Sequence, residues 1–184
     1  MANFADGMRK LGVIELNRMD VAEFKTAEKV PLVVVLDNVR SMYNVGSVFR
    51  TADSFRLEKL VLCGITACPP HPEIHKTALG AENSMEWESV ASTKQAVESL
   101  RSGGYEVYAL EQVEGSIALQ DFKVEAGRKY AVVLGNEVKG VEQQVVDICS
   151  GAIEIPQFGT KHSMNVSVSG GIAIWHIASQ LLGL

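Results

Sequence analysis

Two short aliphatic runs constrain this chain more than anything else in it: LVVVLD at Leu32–Asp37 and YAVVLG at Tyr130–Gly135. Neither alternates between apolar and polar residues. A strand with one wet face has to alternate, so these runs read as strands covered on both faces, as in a parallel sheet with helices above and below. Pro31 stops any helix ahead of the first run. Four weaker segments complete six expected strands: KLVLCG (Lys59–Gly64), MEWESV (Met85–Val90), YEVYAL (Tyr105–Leu110) and AIEIP (Ala152–Pro156). Helical patterns separate them at Asn44–Phe55, Glu73–Leu79, Thr93–Arg101, Val141–Cys149 and Val166–Leu184. Strands alternating with helices predict an α/β fold with a mostly parallel, six-stranded sheet and helices on both faces.

With 184 residues, the chain is expected to form one domain with a sizeable core. No apolar run approaches the roughly 20 residues of a membrane span. The start, MANFADGMRK, lacks the apolar centre of a signal peptide, so a cytoplasmic protein is expected. Three cysteines, Cys63, Cys68 and Cys149, with no C-x-x-C spacing, fit free buried thiols rather than a disulfide framework or a zinc knuckle. His71 and His75 stand four apart, but no further metal-ligand motif joins them, and no metal is expected. The net charge of −5 argues against a broad nucleic-acid surface. The acidity is local, however: residues 61–120 hold three Lys/Arg against eight Asp/Glu, and both ends are close to neutral. A basic patch at either end is therefore allowed.

Three loops and helix starts carry candidate chemistry. In NVGSVFRTAD (Asn44–Asp53), Val45, Val48, Phe49 and Ala52 form a helical apolar face. Asn44 suits the N-cap, and Arg50 stands one turn beyond Gly46, over a bare patch where an anion could dock. In GNEVKG, Gly135 and Gly140 follow a buried strand, where α/β sheets bind ligands. The spacing is neither a P-loop nor a dinucleotide fingerprint. Glu137 between the glycines could cap a helix or hold a substrate or the arginine. In IPQFGTKHSMNVSVSGG, Ser163 and Asn165 are both good N-caps. Gly170 and Gly171 inside the following helix imply a close approach by another segment or another subunit. Ile172, Trp175, Ala178, Leu181 and Leu182 form an apolar face for the core or for a dimer interface, with Trp175 expected in the core.

Taken in order, NVGSVFRTA, LGNEVKG and IPQFGTKHSMNVSV resemble the three motifs of the SpoU (TrmH) family in the SPOUT superfamily of RNA methyltransferases. The resemblance implies a C-terminal trefoil knot, a homodimer and transfer of a methyl group from S-adenosylmethionine to a ribose 2′-hydroxyl of tRNA or rRNA. It implies that the cofactor is held around Leu134, Gly135, Gly140, Ile155 and Met164. It assigns Arg50, Asn44, Glu137, Ser163 and Asn165 to the reaction, with Arg50 reaching the RNA across the dimer. Residues 30–184 would form this domain and residues 1–29 an N-terminal extension too short for a separate RNA-binding domain. The chain departs from the pattern at Gln157, Met164 and the Ser169-Gly170-Gly171 run, none of which removes a proposed functional group. A non-catalytic RNA- or ribosome-binding module that keeps the cofactor loop is the alternative.

Overall fold

The computed structural model describes residues 8–184. The expected extension is therefore described from Met8, and residues 1–7 lie outside the described residues. A 3-10 turn at Ile14–Leu16 leads to helix α1 (Val21–Thr26). That helix opens with a capping box, in which the Asp20 side chain and the Glu23 backbone, and the reverse pair, bond each other.

The chain then alternates as its pattern requires. In order come β1 (Val30–Asp37), α2 (Met42–Ser54), β2 (Leu57–Cys63), α3 (Pro72–Ala78), α4 (Ala81–Ser84), β3 (Trp87–Val90) and α5 (Thr93–Ser102). There follow β4 (Tyr105–Leu110), β5 (Ile117–Ala118), β6 (Lys129–Leu134), α6 (Gln143–Val146), β7 (Gly151–Glu154) and α7 (Val166–Leu181). All six strand pairings are parallel, in the order β3-β2-β1-β6-β4-β7-β5.

The sheet thus has seven strands, not six. The added strand, β5, is two residues long and pairs only with β7 at the sheet edge. A two-residue edge strand carries no periodicity a sequence could display. The helix expected at Val141–Cys149 contracts to Gln143–Val146, because Val141 and Glu142 still belong to the bend that leaves β6.

Burial on the two faces follows the residue alternation of β1. Leu32, Val34 and Leu36 face one core with α2, α3 and α7 residues including Phe49, Ile74, Ile174 and Ile177. Val33 and Val35 face the other with Ala96, Val97 and Leu100 of α5 and Val145 of α6. Both cores are built from side chains with essentially no exposure, which explains the continuous apolar runs.

Glycine 46 does a different job from the one its spacing suggests. A Cβ there would stand 2.2 Å from the Thr77 hydroxyl and 2.3 Å from the Ile74 carbonyl. The bare patch is filled by α3, so nothing docks over it, and Arg50 projects from the exposed side of α2 instead. Helix α2 is capped by Ser41, whose hydroxyl accepts from the Asn44 N–H at 3.3 Å, not by Asn44 itself.

Trp175 also departs from expectation. It is 51% exposed and rests on Phe55, the ring centroids 5.5 Å apart. The buried stripe of α7 is Ala173, Ile174, Ile177 and Ala178. Of the two glycines in α7, Gly170 is the close contact: a Cβ there would reach Leu134 at 2.6 Å, whereas one at Gly171 meets open space.

Candidate active site

The strand order places β4 between β6 and β7, so the carboxyl ends of these three strands lie side by side. A cavity of about 310 Å³ opens above them. Leu110 and Glu111 line it from the end of β4, Leu134 and Gly135 from β6, and Glu154 and Ile155 from β7. The loop before α7 closes it with Ser163 and Met164. This is the position at which open α/β sheets take ligands, and the volume is at the lower end of the range for small-molecule sites.

The bend after β6 is shaped by its own backbone. Asn136 and Gly140 exchange both N–H···O bonds, at 3.0 and 2.9 Å. A Cβ on Gly135 would lie 2.2 Å from the Gly140 carbonyl carbon, so the loop can close only if residue 135 has no side chain. Gly140 has φ +69°, a left-handed conformation that favours glycine. The Asn136 side chain fills the loop. Its oxygen accepts from the N–H groups of Val138 and Lys139, and its amide donates to the Asn38 carbonyl at 2.7 Å.

Glu137 joins this loop to α2. One carboxylate oxygen accepts from the Arg40 N–H, and the other from the Ser41 N–H and the Asn44 amide, at 2.9, 2.9 and 3.0 Å. Burial alone would raise the Glu137 carboxyl, but these three donors outweigh it and hold the group below the usual carboxylate range. The Asn44 oxygen in turn accepts from the Asn165 amide at 3.1 Å, and Asn165 caps α7 by accepting from Ser167 and Val168. One chain of hydrogen bonds therefore fastens all three motif segments together.

A second anchor is Asp37 at the end of β1, fully buried. It accepts from the Thr93 hydroxyl at 2.5 Å, the Asn38 amide at 2.9 Å and the Glu142 N–H at 3.1 Å. These bonds tie the sheet to the start of α5 and to the far side of the Gly135–Gly140 bend.

The expected site residues divide into two groups. Leu134, Gly135, Glu137, Gly140, Ile155, Ser163 and Met164 all line the cavity. Asn44 and Asn165 are joined in the hydrogen-bonded chain without lining the cavity, and Arg50 is exposed farther along α2, also outside the lining. Asn136, Asp37 and Glu111 were not singled out by sequence reasoning. The rule that ligands sit at strand ends would have pointed to Glu111, directly after YEVYAL. Among the described residues no group of three or more His, Cys, Asp or Glu could hold a metal. His71 caps α3, and His75 pairs with Glu82 at 2.5 Å.

The SpoU rRNA methylase family model matches residues 31–175, the whole span that builds this site. The chain belongs to the SpoU rRNA methylase family. Among SpoU relatives, a Borreliella burgdorferi protein described as an uncharacterized tRNA/rRNA methyltransferase is 30% identical over 160 residues, covering 86% of this chain and 68% of the relative. The 23S rRNA (guanosine-2′-O-)-methyltransferase RlmB of Vibrio parahaemolyticus is 25% identical over 168 residues, covering 91% of this chain and 67% of that protein. The chain thus spans about two thirds of the length of these SpoU relatives. The fold matches the A. aeolicus TrmH/SpoU tRNA modifying enzyme with a TM-score of 0.77 at 24% identity, over 89% of this chain and 81% of that one. An AdoMet-bound rRNA methyltransferase from Sinorhizobium meliloti matches with a TM-score of 0.75 at 24% identity, over 84% and 61%.

Proposed function

We infer that this SpoU protein transfers a methyl group from S-adenosylmethionine to a ribose 2′-hydroxyl of tRNA or rRNA. The observation that carries this reading is the union of the three motif segments around one cavity, locked by the Glu137–Asn44–Asn165 chain. The cavity suits the cofactor. Leu110, Leu134, Ile155 and Met164 offer an apolar lining for a purine, and glycine-rich backbone at Gly135 and Gly140 allows close approach of its polar edges. Bound there, the cofactor supplies an electrophilic methyl on a sulfonium. No metal takes part in this reading.

The chain's own residues hold and orient the reactants. A ribose hydroxyl is a weak nucleophile, and in-line alignment supplies much of the rate. Arg50 is assigned to clamping a target phosphate and to stabilising charge that develops on the attacking oxygen. A guanidinium stays protonated, so Arg50 is not the base. The hydroxyl proton passes to a phosphate oxygen or a neighbouring group. Ser163, exposed and lining the cavity, is assigned to meeting the incoming ribose. Asn44, Glu137 and Asn165 are assigned to positioning, because their polar atoms are committed to one another.

Arg50 does not line the cavity of its own chain, so the reading includes a homodimer in which a second protomer supplies it. The support is a stripe on α7: Val168, Ile172, Trp175 and Leu182 stand at helical spacing and are 39–52% exposed. The Trp175–Phe55 contact puts that stripe beside the end of α2, the helix that carries Arg50. A trefoil knot belongs to the same reading. It is supported by the path of the chain after β7, which comes back to α2 at Asn165 and packs α7 against Leu134 of β6. Residues 30–184 are taken as the methyltransferase domain and 1–29 as an extension. A cytoplasmic location belongs to the same proposal; no described helix is long and apolar enough to cross a membrane.

Incubation with labelled S-adenosylmethionine and total RNA, followed by mapping of 2′-O-methyl positions, tests the reading. Label in ribose 2′-O-methyl groups is expected. RNA binding with neither cofactor binding nor methyl transfer would replace it with a non-catalytic RNA- or ribosome-binding module.

A further inference from the structure

Glu111 belongs to none of the three motif segments, yet it lines the cavity. It follows β4 directly, between the ends of β6 and β7. Its backbone N–H donates to the Ile153 carbonyl at 3.0 Å, which continues the ladder to β7 and fixes the residue. Its carboxylate is held from both sides: one oxygen accepts from the Gln112 N–H and the other from the Val141 N–H, each at 2.9 Å. The approach is close enough that a Cβ on Gly140 would lie 2.0 Å from the second oxygen. Glycine at position 140 therefore makes room for this carboxylate as well as adopting its positive φ.

A carboxylate has about four acceptor positions. Two of those of Glu111 are used by backbone, and the side chain is only half-buried on the cavity lining. The two that remain belong to a rigid, negatively charged acceptor with no donor of its own. A ligand with two adjacent hydroxyls satisfies such a group, because each hydroxyl donates to one oxygen. The other two carboxylates on the lining are less suited. Glu137 already accepts from three donors. Glu154 is oriented by no side-chain hydrogen bond among those of the described residues, so it would lose rotamer freedom on binding.

We propose that Glu111 accepts hydrogen bonds from the ribose 2′- and 3′-hydroxyls of the nucleoside cofactor and so selects a ribonucleoside over its deoxy form. The proposal rests on the S-adenosylmethionine reading above. A site built to bond a hydroxyl rejects the analogue without it, since its own polar group is then left unpaired.

The test is calorimetry with S-adenosylhomocysteine and its 2′-deoxy and 3′-deoxy analogues. The wild-type protein is expected to prefer the ribo form by roughly tenfold or more, the range of a hydrogen bond to a charged group. In Glu111→Gln and Glu111→Asp, checked for folding by thermal melting, the preference should shrink by severalfold. Equal wild-type affinity for ribo and deoxy forms overturns the proposal. So does a Glu111→Gln loss of the same factor for every ligand, which would make Glu111 a clamp on the Val141 bend only. Selective loss in Glu154→Gln instead would move the contact and also overturn it. No binding of any of these nucleosides by the wild type would remove the cofactor reading itself.

Discussion

Asn44 donates its side-chain amide to the Glu137 carboxylate at 3.0 Å although the two residues are 93 positions apart. That bond links the first turn of α2 to the bend after β6, and it shows what both residues are for. Glu137 spends its other acceptor positions on the Arg40 and Ser41 N–H groups and Asn44 its oxygen on the Asn165 amide, so the pair sets the shape of the site.

Replacing Glu137 with Ala should therefore be costly. The backbone N–H groups of Arg40 and Ser41 and the Asn44 amide all lose their acceptor. Leaving such groups unsatisfied costs on the order of 1–3 kcal/mol. For a chain of this size that corresponds to a fall in melting temperature of roughly 2–12 °C. Thermal denaturation should show the drop, and cofactor affinity should fall with it. An unchanged melting temperature would mean that the Glu137 chain does not hold the site together.

The same carboxylate makes stability pH-dependent. Its folded-state pKa lies below the ordinary value. Its contribution is therefore fully present above the unfolded value of about 4.3 and is lost as pH falls through the lower, folded one. Denaturation monitored between neutral pH and about pH 3 should show the wild type losing more stability than Glu137→Gln, which has no proton to take up. Parallel curves for the two proteins would contradict this.

Two glycines should respond oppositely to alanine. Gly46→Ala forces a methyl against the Thr77 hydroxyl and the Ile74 carbonyl, which separates α2 from α3. Overpacking of this kind costs about 1–3 kcal/mol. Gly171→Ala meets nothing within 4 Å in one chain and gains helix propensity of up to about 1 kcal/mol. Chemical denaturation of the two variants checks the contrast, and a stable Gly46→Ala protein would rule out the close helix contact.

Arg50 is exposed and belongs to none of the ion pairs among the described residues. Arg50→Ala should leave melting temperature and cofactor affinity unchanged within error while methyl transfer falls at least a hundredfold, comparable to loss of one oxyanion-stabilising donor. Activity that survives undiminished would remove Arg50 from the mechanism.

Trp175 tests the dimer. Trp175→Ser removes a large exposed ring from the middle of the α7 stripe and should weaken self-association by about tenfold or more in sedimentation equilibrium, as loss of a central aromatic anchor does. A wild type that sediments as a monomer at high concentration would overturn this arrangement.

The sequence by itself determined the sheet. LVVVLD and YAVVLG read as strands buried on both faces, because they are short and rich in valine and a continuous aliphatic run has no polar side to turn to water, and the helices between them read as crossovers. The three motif segments, and with them the family, were equally legible, since each is local. What the sequence did not hold was adjacency. Nothing in YEVYAL says that it inserts between the strands ending at Leu134 and Glu154, so the strand-end rule could mark Glu111 as a candidate but could not place it among those strands. Nor could spacing tell that Gly46 meets α3 or that Trp175 stays half in solvent, since an apolar helix face looks the same whether its own core or a second chain covers it. Those matters were decided by tertiary structure: burial, close approach and shared hydrogen bonds arise between residues that are far apart along the chain, and only packing brings them within reach.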